Sequence, residues 1–282
     1  MSDAGRPIRQ PEWATGELQL AAYLARIGHS GPVAATGATL HALHRAHVAT
    51  IAFENVDVVL GRSPAVDLAG VQAKLVHGGR GGYCYEHATL FAAVLEEAGF
   101  RVQRLLARVS GNQSRPGPRT HMALHVRGDD GDWLADVGYG NALLGPLPWG
   151  DARWHRQGGW RYRMTGGPET TWPENAWSVE QQTGDRATSL YRLVDEPVHA
   201  SDVLMANHFT ATHPSSPFVG QLVAIRKDDD SFVRLRGVTR RVERPDGSAE
   251  EEQLSPAQAV TALREEIGVR LSDADARHSR RP

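Results

Sequence analysis

Cys84 is the only cysteine among 282 residues, and it follows the run His77-Gly78-Gly79-Arg80-Gly81-Gly82-Tyr83. The apolar stretch "HATLFAAVLEEAGF" comes directly after Glu86, so the thiol falls where a helix begins. A sulfur at a helix start meets unpaired backbone N–H groups and the positive end of the helix dipole, which favour the nucleophilic thiolate. The glycines before it let the backbone approach another segment and leave room for a substrate above the sulfur. The competing reading is a small buried hydrophobe within a helix.

A thiolate nucleophile needs a base, and the base needs an orienting group. Thirteen histidines compete for the first role. His121 and His125, in "RTHMALHV", share one face of a strand-like segment. Asp136, in "WLADVGYG", lies across the turn "RGDDGD", so adjacent antiparallel strands can set it beside His121. Read alone, Asp136 is more often a turn former. His41, His44 and His47 recur every third residue along a helix and read as one solvated stripe. Cys84, His121 and Asp136 thus suggest nucleophile, base and orienter.

The elements that must position them change character along the chain. Helices are expected over Glu17 to Ile27, Thr39 to His47, Leu68 to His77, and from Cys84 to Ala98, with Gly28 and Gly99 as stops. "FRVQRLLARVS", "HMALHVR" and "DWLADVGYG" then alternate as strands, followed by an irregular insert around "WGDARWHRQGGWRYR". After Asp202 come a short helix, the strands "LVAIRK" and "FVRLRGVTRRV", and a last helix with Ser255 as N-cap and Pro256 at its first position. The order implies an α+β protein of three units: residues 1–99 helical with the nucleophile, 100–203 strand-rich with His121 and Asp136, and 204–282 mixed.

Composition narrows the class. Apolar residues make up 40% and charged residues 23%, and 31 basic side chains face 33 acidic ones, so no footprint for nucleic acid or an anionic membrane is present. No apolar run reaches membrane-spanning length, and the start "MSDAGRPIRQPEW" lacks the pattern of a secretory signal. One cysteine cannot close an internal disulfide, which fits a cytoplasmic location. The oligomeric state is not legible.

The segments Arg80 to Glu86 ("RGGYCYE"), Thr120-His121-Met122 and Asp136 to Gly140 ("DVGYG") resemble the three signatures of the arylamine N-acetyltransferases. "YLARIG", "LHRAH", "AFENVDV" and "THPSSPF" extend the resemblance, in family order, over residues 17 to 272. It implies a cysteine-protease-like core of helical bundle plus antiparallel β-barrel with a C-terminal α/β lid. It also implies Cys84, His121 and Asp136 as triad and a ping-pong reaction without a resident cofactor or metal. Acetyl-CoA would acylate the cysteine, and an arylamine, arylhydrazine or N-hydroxyarylamine would take the acetyl group. Thr120, Gly138, Tyr139 and Gly140 would lie where the CoA thiol arm enters, and Phe53, Tyr83 and Phe218 would line the acceptor pocket. Glu54 and Asn55 would hold Arg80 and with it the glycine loop, and the Cys84 N–H would serve the oxyanion.

Three positions depart from the family pattern: Ala88 stands in place of Asn, Ala52 in place of Pro, and Ile267 in place of an aromatic. His87, three residues from Cys84, is a candidate to perturb the thiolate. Alternatives are an ansamycin-type amide synthase with the same triad, a thiol amidohydrolase or transglutaminase-like enzyme, a metal module using Cys84, His121 and His125, and a binder without activity. The tryptophans at 149, 154, 160, 172 and 177 would either shape a large cleft or fill the barrel.

Overall fold

The computed structural model describes residues 11–110, 117–141, 143–167, 176–272 and 275; Trp172 lies outside them. The first helices are α1 (Leu20–Ile27) and α2 (Gly37–Thr50). Gly28 ends α1 at φ 67°, where a side chain would be strained. Thr36 caps α2 by accepting from the Thr39 N–H. A two-residue strand β1 (Phe53–Glu54) and two short helices, α3 (Val56–Val59) and α4 (Leu68–Val71), follow. Asp67 caps α4, which widens into a π-helical turn over Gln72–His77. Helix α5 (Cys84–Glu97) begins at the cysteine and is buried along all but its last turn, so it is the axis of the helical part.

Eight strands form the second body: β2 (Arg101–Val109), β3 (His121–Gly128), β4 (Gly131–Ala135), β5 (Leu147–Pro148), β6 (His155–Gln157), β7 (Trp160–Gly166), β8 (Ala176–Thr183) and β9 (Arg186–Val194). Their order is β5-β4-β3-β2-β9-β8-β7-β6, a nearly closed antiparallel barrel with β5 lying against β7. The expected irregular insert is therefore a hairpin. β6 and β7 pair from His155↔Tyr162 to Gln157↔Trp160, with Gly158 at φ 62° in the turn. Its alternation was hidden by tryptophans and arginines; Trp160, Tyr162 and Met164 point inward and are buried.

Helix α6 (Ala200–Thr212) leads to the strands β10 (Val223–Lys227), β11 (Phe232–Arg236), β12 (Thr239–Glu243) and β13 (Ala249–Gln253), then α7 (Pro256–Glu265). Ser255 and Gln258 close a capping box at the start of α7, with Pro256 at its first turn. The sheet order is β1-β10-β11-β12-β13, so the N-terminal part of the chain contributes its edge strand. One sheet face packs on α7 through Ala224, Leu235, Val260 and Leu263. The other face looks at the cysteine. Among the described residues no helix is long and apolar enough to cross a membrane.

Candidate active site

The glycine run is explained by crowding. Gly82 pairs with Phe53 in a parallel bridge, exchanging hydrogen bonds with Ala52 and Glu54. A Cβ on Gly81 would stand 2.1 Å from the Ala52 carbonyl oxygen, and one on Gly82 would stand 2.7 Å from Glu86 Oε2. The Glu86 carboxylate closes the helix start by accepting from the Tyr83 N–H at 3.0 Å and from Lys74 Nζ at 2.8 Å. Burial pushes Glu86 up to about 7 even with Lys74 against it. Arg80 donates twice to one oxygen of buried Glu54, at 2.9 and 2.7 Å, and holds the loop on β1.

Asn55 does not join that pair. Its amide donates to the Phe218 and Gln221 carbonyls at 2.8 Å each, and its oxygen accepts from the Val223 N–H at 2.6 Å. The expected Arg80 partner is instead a clamp on the segment leading into β10, because the chain after β1 turns toward the C-terminal sheet.

His121 opens β3 and Asp136 follows the last residue of β4. Leu124 pairs with Ala135, so Asp136 falls opposite Ala123, on the face that His121 shares. His121 Nε2 lies 2.8 Å from Asp136 Oδ2, which leaves Nδ1 as the ring nitrogen available to the nearby Cys84 sulfur. All three side chains are buried. Burial alone would lower the His121 pKa, but the Asp136 carboxylate and the bonds to Asp136 and Cys84 hold it up to about 10. Burial would raise Asp136; the cationic ring opposes this and keeps it below the usual carboxylate range. Cys84 Sγ lies 3.6 Å from the Thr120 carbonyl oxygen.

Among the groups that support the triad, His44 and Tyr191 had no such role in the sequence reading, and Gly138 and Tyr139 were named there only for the CoA arm. The Gly138 N–H donates to Asp136 Oδ1 at 3.0 Å, and the Asp136 N–H donates to His44 Nε2 at 3.3 Å. The Tyr191 hydroxyl sits beside the Asp136 carboxylate without a well-formed hydrogen bond. The rings of Tyr139 and Tyr191 flank His121 at 5.0 and 4.7 Å.

The solvated histidine stripe is corrected: only His41 is exposed, whereas His44 and His47 are fully buried. His47 bonds the Tyr23 hydroxyl at 2.9 Å and His87 Nδ1 at 2.8 Å. His87 Nε2 reaches the Gly82 and Ala52 carbonyls at 3.0 and 3.2 Å, so its ring faces the glycine loop and α2. Burial lowers His87 to about 4 and His44 to about 3, and both stay neutral near pH 7. His125 stacks on Trp149 at 3.6 Å and bonds Asp195, apart from the other two groups of the metal reading.

A cavity of about 510 Å³ opens on the sulfur. Phe53, Thr120, Gly138, Tyr139 and Phe218 line it, the two phenylalanine rings 5.8 Å apart. Tyr83 does not. It is fully buried, its hydroxyl bonded to Asn207 and its ring behind Phe218 at 6.1 Å, because it precedes α5 on the side that α6 covers. Gly140 stands behind the wall at φ 80°, where a Cβ would press on Ile225 and Phe53 at 3.0 and 3.3 Å.

The N-acetyltransferase family pattern matches residues 37–276. An arylamine N-acetyltransferase of Mycolicibacterium smegmatis is 36% identical over 270 residues, covering 92% of this chain and 95% of that protein. This chain belongs to the arylamine N-acetyltransferase family. It is therefore an acyltransferase by family. The crystal structure of the Nocardia farcinica arylamine N-acetyltransferase superposes with a TM-score of 0.90 at 37% identity, covering 97% of this chain and 98% of that one. The Mycobacterium marinum arylamine N-acetyltransferase, solved in complex with CoA, gives 0.81 at 31% identity over 89% and 93% of the two chains.

Proposed function

We propose that this chain transfers an acetyl group from acetyl-CoA to a small aromatic amine, hydrazine or N-hydroxyarylamine by a ping-pong mechanism through S-acetyl-Cys84. The observation that carries the reading is Cys84 and His121 lining one aromatic-walled cavity, with Asp136 bonded to the His121 ring at 2.8 Å. The CoA complex of the marinum relative supports the donor.

In the first half-reaction the Cys84 sulfur attacks the thioester carbonyl. The tetrahedral oxyanion forms beside the first turn of α5, where the Cys84 N–H can donate to it. The carbon–sulfur bond to CoA then breaks, and the His121 imidazolium gives its proton to the departing thiolate. Thioester to thioester exchange is close to isoenergetic. In the second half-reaction an uncharged amine attacks S-acetyl-Cys84, neutral His121 takes the amine proton, and the Cys84 sulfur leaves as thiolate. Asp136 orients the ring through Nε2 and favours its cationic form.

Mass spectrometry after brief exposure to acetyl-CoA tests both halves. An adduct of one acetyl group on Cys84, discharged by an arylamine, is the expected result, and Cys84→Ser removes it. No adduct, or an adduct that water discharges as fast as any amine, would replace transfer with hydrolysis or no activity.

A further inference from the structure

Three buried polar side chains outside the triad form one hydrogen-bonded line behind the nucleophile. The Tyr23 hydroxyl meets His47 Nδ1 at 2.9 Å, and His47 Nε2 meets His87 Nδ1 at 2.8 Å. His87 Nε2 ends the line, 3.0 Å from the Gly82 carbonyl oxygen and 3.2 Å from that of Ala52. All three side chains are fully buried, so solvent does not replace a broken link. The acetyl-transfer steps use none of them.

The two carbonyl oxygens fix the direction of every bond in the line. A carbonyl only accepts, so His87 Nε2 carries a proton. Burial keeps both rings neutral, so each holds a single proton. His87 Nδ1 is then bare and accepts from the His47 Nε2–H. His47 Nδ1 is bare in turn and accepts from the Tyr23 hydroxyl. The reverse order would aim a bare Nε2 lone pair at two carbonyl oxygens. Those oxygens belong to the two segments joined by the bridge between Phe53 and Gly82, so one N–H lies across the seam between β1 and the glycine turn.

We propose that His87 is a positioning residue for the nucleophile, its Nε2–H pinning the glycine turn to β1 while Tyr23 and His47 hold the ring in that tautomer. The inference rests on the acetyl-transfer reading above. His87 lies three residues past Cys84 on α5, and its ring reaches back to the helix start. The Gly82–Tyr83 peptide is thereby held on both sides. Its oxygen accepts from His87 Nε2 and from the Glu54 N–H at 2.8 Å, and its N–H donates to Glu86 at 3.0 Å. The next peptide carries the Cys84 N–H that serves the oxyanion. Releasing the Gly82 oxygen lets the turn rotate, which shifts that N–H and the sulfur relative to His121. A Cβ on Gly138 would stand 3.1 Å from His87 Cβ, so His87 also abuts the loop that carries Asp136.

Two amide side chains separate the two bonds of the ring. In H87Q the amide nitrogen takes the place of Nε2 and can still donate to the Gly82 oxygen. In H87N the shorter amide ends at the Nδ1 position, meets His47 and leaves the carbonyls without a donor. Single-turnover acylation by p-nitrophenyl acetate is followed for the wild type, H87Q and H87N, beside their thermal midpoints. H87N is expected to lower the acylation rate constant on the order of ten-fold, the scale of a sub-ångström misplacement. H87Q should stay within about three-fold of wild type by the same scale. Both variants lose the ring and one link of the line, so a merely structural role would lower both rates in step with both midpoints. A difference of less than two-fold between the two variants overturns the proposal. Nitrogen NMR of the wild type gives a second reading, which holds even where H87N fails to fold. Near pH 7 the neutral Nε2–H tautomer is expected at His47 and at His87, and the Nδ1–H tautomer at His87 overturns the proposal. A wild type that forms no S-acetyl adduct removes the acetyl-transfer reading together with this one; an adduct that forms equally fast in both variants removes this one alone.

Discussion

Gly138 joins the two halves of the site, and the substitution Gly138→Ala tests whether their spacing matters. Its added Cβ would stand 2.9 Å from Cys84 Cα, 3.0 Å from the Cys84 carbonyl oxygen and 3.1 Å from His87 Cβ. Ordinary contact begins at 3.4 Å, so the loop or the helix start must retreat by about 0.5 Å. Two of the three neighbours are backbone atoms, and rotating a side chain cannot relieve them. The same loop carries the Gly138 N–H that holds Asp136 Oδ1, so the retreat draws Asp136 and His121 away from the sulfur. A misplacement of 1 Å costs about 100-fold in rate, so half that distance should cost on the order of 10-fold. Overpacking of this kind destabilises by about 1–3 kcal/mol, or roughly 2–10 °C of thermal midpoint for a chain of this size. The assay is the burst of p-nitrophenol from p-nitrophenyl acetate under single-turnover conditions, read beside a thermal melt. Gly117→Ala makes the same chemical change where a Cβ would meet nothing within 4 Å, and should leave both readouts unchanged. A Gly138→Ala burst within two-fold of wild type would refute the argument that this close approach sets the site's geometry.

Glu54→Gln removes the nearer carboxylate of Arg80 and leaves only Asp57 at 3.6 Å, and chemical denaturation should show a loss of about 1–3 kcal/mol. Asn55→Ala strands two carbonyls and one N–H between β1 and β10; roughly 2–4 kcal/mol should be lost, with faster hydrogen exchange over residues 218–225. His44→Phe removes the acceptor for the buried Asp136 N–H, at about 1–3 kcal/mol. The acylation rate should fall in that variant with KM for acetyl-CoA little changed. The His121 pKa of about 10 lies above the ordinary 6.5, so the stabilisation from its cation is complete below pH 6.5 and is lost as pH rises through 10. The stability advantage of the wild type over His121→Gln should accordingly be full below pH 6.5 and shrink as pH rises through 10, read by thermal melts across that range.

Much of this molecule follows from short-range sequence. A thiol after Gly81-Gly82 and before an apolar run starts a helix because nothing else satisfies both the crowded turn and the buried face that follows. His121 and Asp136 share a face because a two-residue turn at Asp129-Asp130 fixes the register of β3 and β4. The caps at Ser255 and Asp67 and the stops at Gly28 and Gly99 are likewise local chemistry, written within a few residues of where they act.

Tertiary structure decided the rest, wherever one side chain could serve either of two surroundings. His44 and His47 have the spacing of a solvated stripe, and only the packing of α2 against α5 and the Asp136 loop makes them neutral, buried partners. Asn55 adjoins Glu54 in sequence yet clamps a segment more than 160 residues away, because β1 forms the edge of a sheet otherwise built from the end of the chain. Tyr83, beside the nucleophile, turns into the core because α6 supplies Asn207 for its hydroxyl. Arg234 is one arginine among many in the sequence. Its place in the cavity wall, with no carboxylate paired to it among the described residues, arises only from the register of β10, β11 and β12, since a charge has meaning only relative to what lies across from it.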